Sequence, residues 1–463
     1  MEDSEDISSP SHSLYVVLAI ASVVWYCIIT SFGILGCLSA RKRYRLRPRS
    51  PLASADPNTV PGVSIIRPLK GLDANLYENL ESTFTQEYPK YEIFLAVASE
   101  HDQALSVVRD LVAKYPHVNA HVVIGEEVVG VNPKVNNLMR AYKQAAHDIL
   151  WVLDSNVMVD SGTLARSVAV LDAPSAAPSS RRRIALVHHV PFAFSTEQTL
   201  GSHVEQAFLN TNHAKMYIAI NTLAIDSCVV GKSNLYRKSD LERVDGTLKP
   251  ITPGDARGHE KGLAAFGRFL AEDNTIAGAI WHELDLRHDL SCDVARNAVG
   301  NMSIADYIRR RIRWIRVRKH MVLAATLAEP FTESIVAGTL ASLGLKYLFG
   351  IPAWLFLCAH FVVWLSVDLD VNATLAGYPL PFGSSWWRFV GAWALRELLA
   401  FPIWLFAIWG STVDWRGKTY VVQRNGEVRR PSRDDERGWF RWISWGNGAK
   451  SGPQYEILDG GQD

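Results

Sequence analysis

Long apolar segments lie near both ends of the chain, on either side of a more polar middle. The N-terminal segment covers residues 14–37 without a charged side chain, which is long enough to cross about 30 Å of hydrocarbon. Acidic residues precede it, and a basic stretch at 41–49 follows it. Because a cleavable signal peptide carries its positive charge ahead of the apolar run, the pattern predicts a membrane signal anchor followed by a cytosolic domain.

Three further apolar segments near the C-terminus cover residues 331–349, 351–367 and 389–409. The tail after Trp415 is rich in arginine, which favours the cytosol. The loop 368–387 has no lysine or arginine and holds a glycosylation sequon at Asn372, which favours the lumen. Both preferences are met if segment 351–367 crosses from the cytosol to the lumen and segment 389–409 crosses back. Segment 331–349 would then lie in the membrane interface. Three spans are therefore predicted in total, and four spans are the alternative.

Short β-branched runs alternate with helix-periodic segments in the middle of the chain. The runs lie at residues 63–66, 92–97, 120–124, 149–153 and 184–190. Helical segments such as 103–115 separate several of them, which predicts an α/β fold with a mostly parallel sheet flanked by helices on both faces. Such sheets bind ligands beyond the carboxyl ends of their strands, so the residues that follow the runs are the candidate site residues.

Composition and charge narrow the classes of function. The formal net charge is +1, which gives no general attraction to nucleic acid. The five cysteines form no CxxC pair, so neither a disulfide framework nor a zinc site is indicated. Apolar residues make up 48% of the chain, a balance suited to a protein that is partly soluble and partly in a membrane.

Two aspartates follow predicted strands. Asp102 comes shortly after the run 92–97, and Asp154 comes directly after the run 149–153. Carboxylates at that edge suit Mg²⁺ or Mn²⁺, the cations that neutralise a nucleotide diphosphate as a sugar leaves it. Asn156 stands where an Asp-x-Asp metal site has its second carboxylate. A turn or capping role is the alternative for each aspartate.

Two more candidates lie where helices are predicted to begin. Asp273 precedes the helical pattern 274–281, and either an N-cap or a general base that removes a proton from an attacking alcohol fits this position. Lys134 lies in a turn-rich segment that enters a helix, 129–137. A lysine there reaches a phosphate at the helix N-terminus, and a solvated turn lysine is the alternative.

The basic string 309–320 is the sharpest local feature. Arg310 and Arg313 lie one turn apart on one helix face, a spacing suited to holding a diphosphate. Trp314 supports that contact or stacks on a sugar. The alternative is a basic juxtamembrane helix beside anionic headgroups, with Trp314 as an interfacial anchor.

Together these residues resemble the Asp, Asp, Asp, (Gln/Arg)-x-x-Arg-Trp signature of inverting GT-A glycosyltransferases related to cellulose, chitin and hyaluronan synthases. In this chain the signature is formed by Asp102, Asp154, Asp273 and the string RRIRW at 310–314. Flanking strings such as RPLKGLD and GVNPKVNNL are similar to the ceramide glucosyltransferase family, and the resemblance covers residues 61–420. The insertion 173–183, the stretch 243–262 and the long tail depart from the family pattern.

The resemblance implies a GT-A-type fold and a role for each matching aspartate. Asp102 would contact the nucleotide, and Asp154 would help to hold the diphosphate and a divalent cation, Mg²⁺ or Mn²⁺. Asp273 would be the base that deprotonates the primary hydroxyl of ceramide.

The remaining matching residues are implied to bind substrate. Arg310, Arg313 and Trp314 would bind the leaving diphosphate and shape the acceptor site. His213 matches a histidine that the family places near its active site, and an ordinary histidine without such a role is the alternative.

The implied reaction is an inverting transfer of glucose from UDP-glucose to ceramide, with both substrates and the lipid bilayer as partners. The implied location is the Golgi or endoplasmic reticulum membrane. A polysaccharide synthase, a dolichyl-phosphate sugar transferase and a non-catalytic membrane scaffold are the alternatives. The predicted organisation is a short N-terminal segment (1–13), the transmembrane anchor (14–37), a basic and Pro/Ser-rich linker (38–62), the cytosolic catalytic domain (63–325), a C-terminal membrane region (326–411) and a basic tail (412–463).

Overall fold

The computed structural model describes residues 10–173, 182–247, 260–415, 418–423 and 426–431. Most of the insertion noted at 173–183, much of the stretch 243–262 and most of the basic tail lie outside the described residues.

A mixed sheet forms the centre of the domain that follows the anchor. Its strands are β1 (Val63–Leu69), β2 (Tyr91–Val97), β3 (Ala120–Ile124), β4 (Ile149–Leu153), β5 (Val157–Met158), β6 (Ile184–Phe194), β7 (Ser233–Arg237) and β8 (Arg287–Ala298). Their spatial order is β3-β2-β1-β4-β7-β6-β8-β5. Strands β5 and β7 run antiparallel to their neighbours, and the other pairs are parallel. The prediction of an α/β fold with a mostly parallel sheet is confirmed.

Helices cover both faces of this sheet. The helices of the chain are α1 (Pro10–Tyr44), α2 (Leu76–Phe84), α3 (Ala104–Lys114), α4 (Pro133–Gln144), α5 (Thr163–Leu171), α6 (Leu200–Phe208), α7 (Ala214–Leu223), α8 (Lys238–Leu241), α9 (Glu272–His282), α10 (Ile304–Met321), α11 (Leu323–Ala328), α12 (Ser334–Phe349), α13 (Ala353–Ala376) and α14 (Ser384–Ile408). Ile65 and Trp151 pack with α2, α3 and α5, whereas Ile66 and Leu150 pack with α4 and α9. The two layers alternate along each strand because successive side chains point to opposite faces.

Strand β1 is longer than the run 63–66 that predicted it. It continues through Arg67 and Pro68, although proline lacks the N–H that a strand uses for pairing. Strand β4 pairs with β1 as far as Ile66, so Pro68 lies beyond the part of β1 that is paired on both edges. Arg67 is buried and donates to the carbonyl oxygen of Val157 at 3.0 Å, which ties β1 to β5.

Three helices are long and apolar enough to cross a membrane, namely α1 over His12–Tyr44, α13 and α14. Helix α12 is apolar but shorter. The number of candidate spans therefore agrees with the prediction. Helix α1 extends beyond the predicted anchor, and its Gly36 packs so closely on α7 that an added Cβ would lie 2.1 Å from the carbonyl oxygen of Lys215.

Contacts along α1 show that α12 runs away from the α/β domain and α13 returns. Trp25 donates to the carbonyl oxygen of Phe331, just before α12, and Tyr347 at the other end of α12 contacts His12. The carboxyl end of α13 lies beside the end of α1, where Asp370 pairs with Arg41 at 2.6 Å. Arg47 then donates to the carbonyl oxygen of Leu375 at 2.9 Å.

Helix α14 lies along the α/β domain instead of leaving it. Near its start Arg388 contacts Gln198, and at its end Lys319 donates to the carbonyl oxygen of Ile408 at 2.9 Å. Between these points α14 packs on α6 and α10, and apolar side chains such as Leu398 stay exposed on its outer face. This arrangement is typical of a helix that lies in the membrane interface.

These contacts favour a topology other than the predicted exit through 351–367 and return through 389–409, although both segments form helices long enough to cross a membrane. Helices α12 and α13 form the hairpin, and the loop after α13 lies on the side of the α/β domain. Asn372 of the predicted lumenal sequon lies inside α13 and is 5% exposed. Apolar length and loop charge do not distinguish a helix that crosses a bilayer from one that lies along it.

Buried ion pairs join the membrane helices to the α/β domain. Lys215 of α7 pairs with Asp368 of α13 at 2.7 Å, and neither side chain is more than 2% exposed. Trp393 of α14 donates to the same carboxylate at 2.8 Å. Arg396 of α14 pairs with Glu333, just before α12, at 2.7 Å. Since burying a charge is costly unless it is paired, these contacts fix the helices in one arrangement.

The first part of the predicted tail is folded. Three antiparallel strands, β9 (Thr412–Trp415), β10 (Lys418–Val422) and β11 (Val428–Arg429), form a second sheet. Tyr420 and Val422 pack against Val317 of α10, so this sheet covers the carboxyl-terminal part of the helix that carries the basic string.

Candidate functional site

The carboxyl ends of β1, β2 and β4 form one edge of the sheet, and Asp102 and Asp154 lie in the loops after β2 and β4. Asp102 accepts hydrogen bonds from the N–H groups of Gly71 at 2.8 Å and Ala104 at 2.9 Å. One carboxylate oxygen therefore orders the turn that leads into α3 and holds the loop after β1, which is the turn role weighed as the alternative. The position also faces the crevice where ligands bind in such sheets.

The asparagines of the segment 129–137 explain why it forms a rigid helix start. Asn132 caps α4 by accepting from the N–H of Lys134 at 2.8 Å, and its amide donates to Glu272 at 2.9 Å. Asn137 donates to the carbonyl oxygens of Leu69 and Ala96, both at 3.1 Å, at the ends of β1 and β2. The segment therefore aims Lys134 at the strand ends.

Asp154 lies between two lysines. Lys134 contacts one of its oxygens at 2.8 Å and Lys232, which directly precedes β7, contacts the other at 3.0 Å. Lys134 also pairs with Glu272 at 2.8 Å, and Lys232 contacts the amide oxygen of Asn156 at 3.1 Å. Two positive and two negative charges thus form one compact network at the end of β4.

Burial and charge act in opposite directions on the pKa values of this network. Burial disfavours charge on Asp154, but Lys134 and Lys232 outweigh it and hold its pKa well below the usual range. Burial also opposes charge on Lys134, whose pKa is nevertheless raised by Asp154 and Glu272. The pKa of Lys232 is lowered, first by burial and then by the charge of Arg310, which Asp154 only partly offsets.

Asp273 lies in the first turn of α9, beside Glu272. The N-cap position belongs to Ala271, so the N-cap interpretation of Asp273 is wrong. Its carboxylate accepts from the N–H of Asn274 at 2.7 Å. Burial, followed by the charge of Glu272, raises the pKa of Asp273 to about 7, although Lys134 acts against this. A carboxyl that titrates near neutrality is suited to accept a proton.

Gly231 makes room for the carboxylate of Asp273. A Cβ added at Gly231 would lie 1.2 Å from Asp273 Oδ2. The N–H of the preceding residue, Val230, donates to the hydroxyl of Tyr217 at 3.0 Å, which holds this loop in place. Gly130 and Gly267 make a second close approach, because a Cβ on Gly130 would lie 2.3 Å from the carbonyl oxygen of Gly267.

Helix α10 carries the basic string, and its arginines contact acidic and aromatic side chains. Arg310 pairs with the buried Glu205 of α6 at 2.8 Å, and its guanidinium lies 4.8 Å from the centre of the Trp314 ring. Arg311 lies 3.7 Å from the centre of the Phe208 ring. Arg313 is partly exposed on the same helix. The string is thus held against the α/β domain through α6.

His213 lies between the loop beside Asp273 and the basic helix α10. It lies in a short π-helical segment between α6 and α7, stacked on Tyr217 at 5.6 Å and tilted against Trp314 at 6.5 Å between ring centres. Burial, with the charges of Arg311 and Arg318, lowers its pKa to about 3, so the imidazole is neutral. An aromatic layer therefore connects the loop beside Asp273 with the basic helix.

The oxygens around Asp154 fit a cation. The ammonium of Lys232 already stands between Asp154 and Asn156, which shows that these hard oxygen donors accept positive charge at that point. Among the described residues no three His, Cys, Asp or Glu side chains converge on one point. The protein thus supplies part of a coordination shell, and a cation bound by Asp154 requires an ammonium group to move.

The structure brings Asp154, Lys134 and Asp273 into one site and places Asp102 at the same edge. The sequence patterns predicted no role in the site for Lys232, Glu272 or Gly231. Glu272 was visible as the residue before Asp273, but its contact with Lys134 depends on the tertiary packing of α4 against α9. Around Lys232 the sequence shows only a lysine that follows a glycine. The strand that comes next is rich in polar residues, so the sequence does not predict it as a strand.

The chain matches the sequence model of glycosyl transferase family 21 over residues 23–428. A ceramide glucosyltransferase of Komagataella phaffii is 38% identical over 471 residues, which cover 89% of this chain and 92% of the relative. A ceramide glucosyltransferase of Candida albicans is 31% identical over 524 residues, which cover 87% of this chain and 96% of the relative.

Solved structures of glycosyltransferases are similar at a lower level. A mannosyltransferase from Pyrobaculum calidifontis in complex with GDP-mannose and Mn²⁺ is 18% identical, with a TM-score of 0.44, over 83% of this chain and 99% of its own. Residues 1–349 of S. aureus TarS in complex with UDP-GlcNAc are 15% identical, with a TM-score of 0.34, over 79% of this chain and 98% of their own.

Proposed function

The chain belongs to glycosyl transferase family 21, and from this premise we propose that it transfers glucose from UDP-glucose to the primary hydroxyl of ceramide, giving glucosylceramide. Glycosyl transfer follows from the family, and the relatives named ceramide glucosyltransferase support this donor and acceptor. The observation that carries the proposal is Asp273, a carboxyl with a pKa of about 7 close to Lys134, in a chain with helices long and apolar enough to cross a membrane.

In the proposed reaction Asp273 accepts the proton of the ceramide hydroxyl while that oxygen attacks the anomeric carbon of glucose. The bond from this carbon to UDP breaks on the opposite side, so the configuration inverts. Lys134, Lys232 and Arg310 provide positive charge where the leaving diphosphate gains negative charge. Held by Asp154 and Asn156, a divalent cation would neutralise the diphosphate further.

Other residues of the sequence signature are assigned supporting roles in this proposal. Asp102 contacts the nucleotide from the loop after β2, where one of its oxygens already orders the backbone. Arg313 and Trp314 bind the diphosphate and shape the acceptor site. His213, neutral and stacked between rings, packs the wall between these groups and the loop of Gly231.

A small cavity between α6, α10 and α14, with room for about one water molecule, has a lining that is partly apolar and partly charged, as an acceptor with a polar head and apolar chains would require once the helices move apart. Phe208, Tyr307 and Trp404 contribute apolar surface to it, and Arg311 and Glu333 contribute charge. Phe208 also contacts the rings of His213 and Trp314, which links the cavity to the aromatic layer that reaches the loop beside Asp273. This arrangement supports entry of ceramide from the bilayer.

For the location we propose a multi-pass protein of the Golgi or endoplasmic reticulum membrane, with residues 63–325 as its cytosolic catalytic domain. The basic stretch 41–49 supports this orientation through the preference of positive residues for the cytosol. The stretch lies beside the α/β domain, where Arg47 pairs with Asp160 at 2.8 Å.

The test is a transfer assay with radiolabelled UDP-glucose in microsomes that contain the chain, with and without added ceramide. Label in glucosylceramide is expected, and Asp273→Asn should lower its rate by at least about 10³-fold because no base accepts the proton. Asp285→Asn is the matched control, because Asp285 is exposed and asparagine tolerates its left-handed backbone.

Each other destination of the label contradicts the proposal in a different way. Label in a polymer would indicate a polysaccharide synthase, and label in dolichyl phosphate would indicate that acceptor class. Absence of transfer by a folded wild-type chain would indicate a non-catalytic scaffold. Near-normal transfer by folded Asp273→Asn would remove Asp273 from its role as the base.

A further inference from the structure

Lys232 places a positive charge between the two oxygens that fit a cation. Its Nζ lies 3.0 Å from Asp154 Oδ2 and 3.1 Å from Asn156 Oδ1. Its backbone is fixed at this point because the N–H of Asp154 donates to the carbonyl oxygen of Lys232 at 3.1 Å, where β4 meets β7. The side chain is 12% exposed, which is low for a lysine.

We propose that Lys232 is an internal cation that competes with a divalent cation for Asp154 and Asn156. This inference rests on the proposed function, in which the diphosphate of the donor occupies this end of the sheet. When no divalent cation is bound, the ammonium holds the two oxygens and orders the loop after β4. When a divalent cation takes them, the ammonium turns on its flexible stem towards the diphosphate.

The contacts indicate which of the two lysines gives way. Lys134 is shared between two carboxylates, Asp154 and Glu272, both at 2.8 Å. Lys232 contacts one carboxylate among the described residues, and its second partner is the neutral amide of Asn156. The ammonium with fewer negative partners costs less to displace, so Lys134 stays as a fixed charge and Lys232 is the exchangeable one.

Competition follows because the same oxygens cannot hold an ammonium and a divalent cation together. A divalent cation bound to Asp154 and Asn156 would meet the charge of Lys232 at close range in a partly buried site, where repulsion is screened less than in water. Lys232 therefore lowers the affinity of the free protein for the cation. In return it balances the charge of Asp154 when divalent cation is scarce, so that the carboxylates do not leave the diphosphate site negative.

The first test measures Mn²⁺ binding to the purified full chain without nucleotide, with free Mn²⁺ followed by electron paramagnetic resonance. Lys232→Met keeps the length of the side chain without its charge and should bind Mn²⁺ at least about tenfold more tightly than wild type. Lys232→Arg should stay weak because it keeps the charge. Lys143→Met, on an exposed lysine of α4, is the matched control and should behave as wild type.

A second titration measures UDP binding in EDTA, where we expect Lys232→Met to bind at least about tenfold more weakly than wild type. Added Mn²⁺ should reduce this difference. Equal Mn²⁺ affinity of folded wild type and Lys232→Met would overturn the inference, whatever the result of the UDP titration. Failure of wild type to bind UDP or transfer glucose would instead overturn the proposed function, because the Mn²⁺ titration uses no nucleotide.

A third measurement needs no variant. An amine-acylating reagent is applied to wild type with and without Mn²⁺, and labelling is read by mass spectrometry. Displacement of the ammonium should raise the labelling of Lys232 several-fold and leave that of Lys143 unchanged. Labelling of Lys232 that does not respond to saturating Mn²⁺ would contradict the competition.

Discussion

Among single residues, Asp273 has the environment that most directly sets a rate. A base must be deprotonated to accept a proton, so activity should rise as the pH rises through the pKa of Asp273, about 7. Burial is the main cause of this raised pKa and the charge of Glu272 is the second. The same two causes penalise the ionised carboxylate, so the stability that the protonated Asp273 contributes at low pH is lost as the pH rises from about 4 to about 7.

This environment predicts a change in the pH profile. Glu272→Gln removes the neighbouring negative charge, so the acid limb of kcat/KM should move to lower pH by about 0.5–1 unit. Glutamine is chosen because its amide keeps an oxygen near Lys134. Profiles of kcat/KM between pH 5 and 9 would measure the shift. An acid limb that stays near pH 7 in a folded variant would show that Glu272 does not set the pKa of the base.

Gly231 gives a second prediction. Alanine there would place a methyl carbon on the carboxylate of Asp273, so Gly231→Ala should lower kcat by at least about 10²-fold while the protein still folds. Gly391→Ala in α14 is the control, because no atom lies within 4 Å of an added Cβ at that position. Equal kcat of the two variants would mean that the loop that contains Gly231 shifts without disturbing the carboxylate of Asp273.

The candidate site could be predicted from sequence only where its residues follow predicted strands or form a string. Asp102 and Asp154 follow predicted strands, and Arg310 belongs to the basic string. Lys232 could not be found in this way, because its contact with Asp154 depends on the antiparallel pairing of β4 with β7. The sequence of β7 is polar and gives no strand signal.

At the scale of elements, the packing of α1, α7 and α13 depends on buried polar contacts as well as on apolar area. Lys215 and Asp368 pair where both are almost completely buried, and Trp393 shares the carboxylate. Hydropathy predicted the helices, but it carried no information about which charge pairs with which. The strands were predicted best where apolar and β-branched residues form a continuous run, as in β3 and β4, and were missed where they are polar, as in β8.

The Lys215–Asp368 pair predicts non-additive changes in stability. Lys215→Met leaves a buried carboxylate without its cation and should cost about 3–5 kcal/mol, seen as a lower thermal unfolding midpoint in detergent. The double variant Lys215→Met with Asp368→Asn should recover most of this loss, because no unpaired charge remains. Additive losses in the double variant would show that the two side chains do not act as a pair.

At the scale of the whole molecule, the helices after α10 define which loops share a side with the α/β domain. Helix α13 returns to that domain and α14 stays on it, an arrangement that apolar length and loop charge do not predict because they carry no information about which helices pack together. The pairing of Arg41 with Asp370 and the packing of α14 on α6 and α10 are long-range contacts without a local signal.

Glycosylation tags test this arrangement. An acceptor tag inserted in the loop 377–383 should stay unmodified in microsomes, as should the native Asn372, because both lie on the side of the α/β domain. A tag placed ahead of Pro10, at the opposite end of α1, should be modified and serves as the positive control. A glycan on the 377–383 tag would contradict the α12–α13 hairpin and favour a crossing by α14.

The position of α14 along the α/β domain also bears on the traffic of lipids. If α14 lies in the interface as its contacts favour, the acceptor of the proposed reaction would reach the site by lateral diffusion within a single leaflet. The glycolipid product returns to that same leaflet, since the proposed reaction includes no step that turns a headgroup over. Its appearance on the other surface of the membrane would therefore require a separate protein that moves the lipid between leaflets, and the two events are open to independent control.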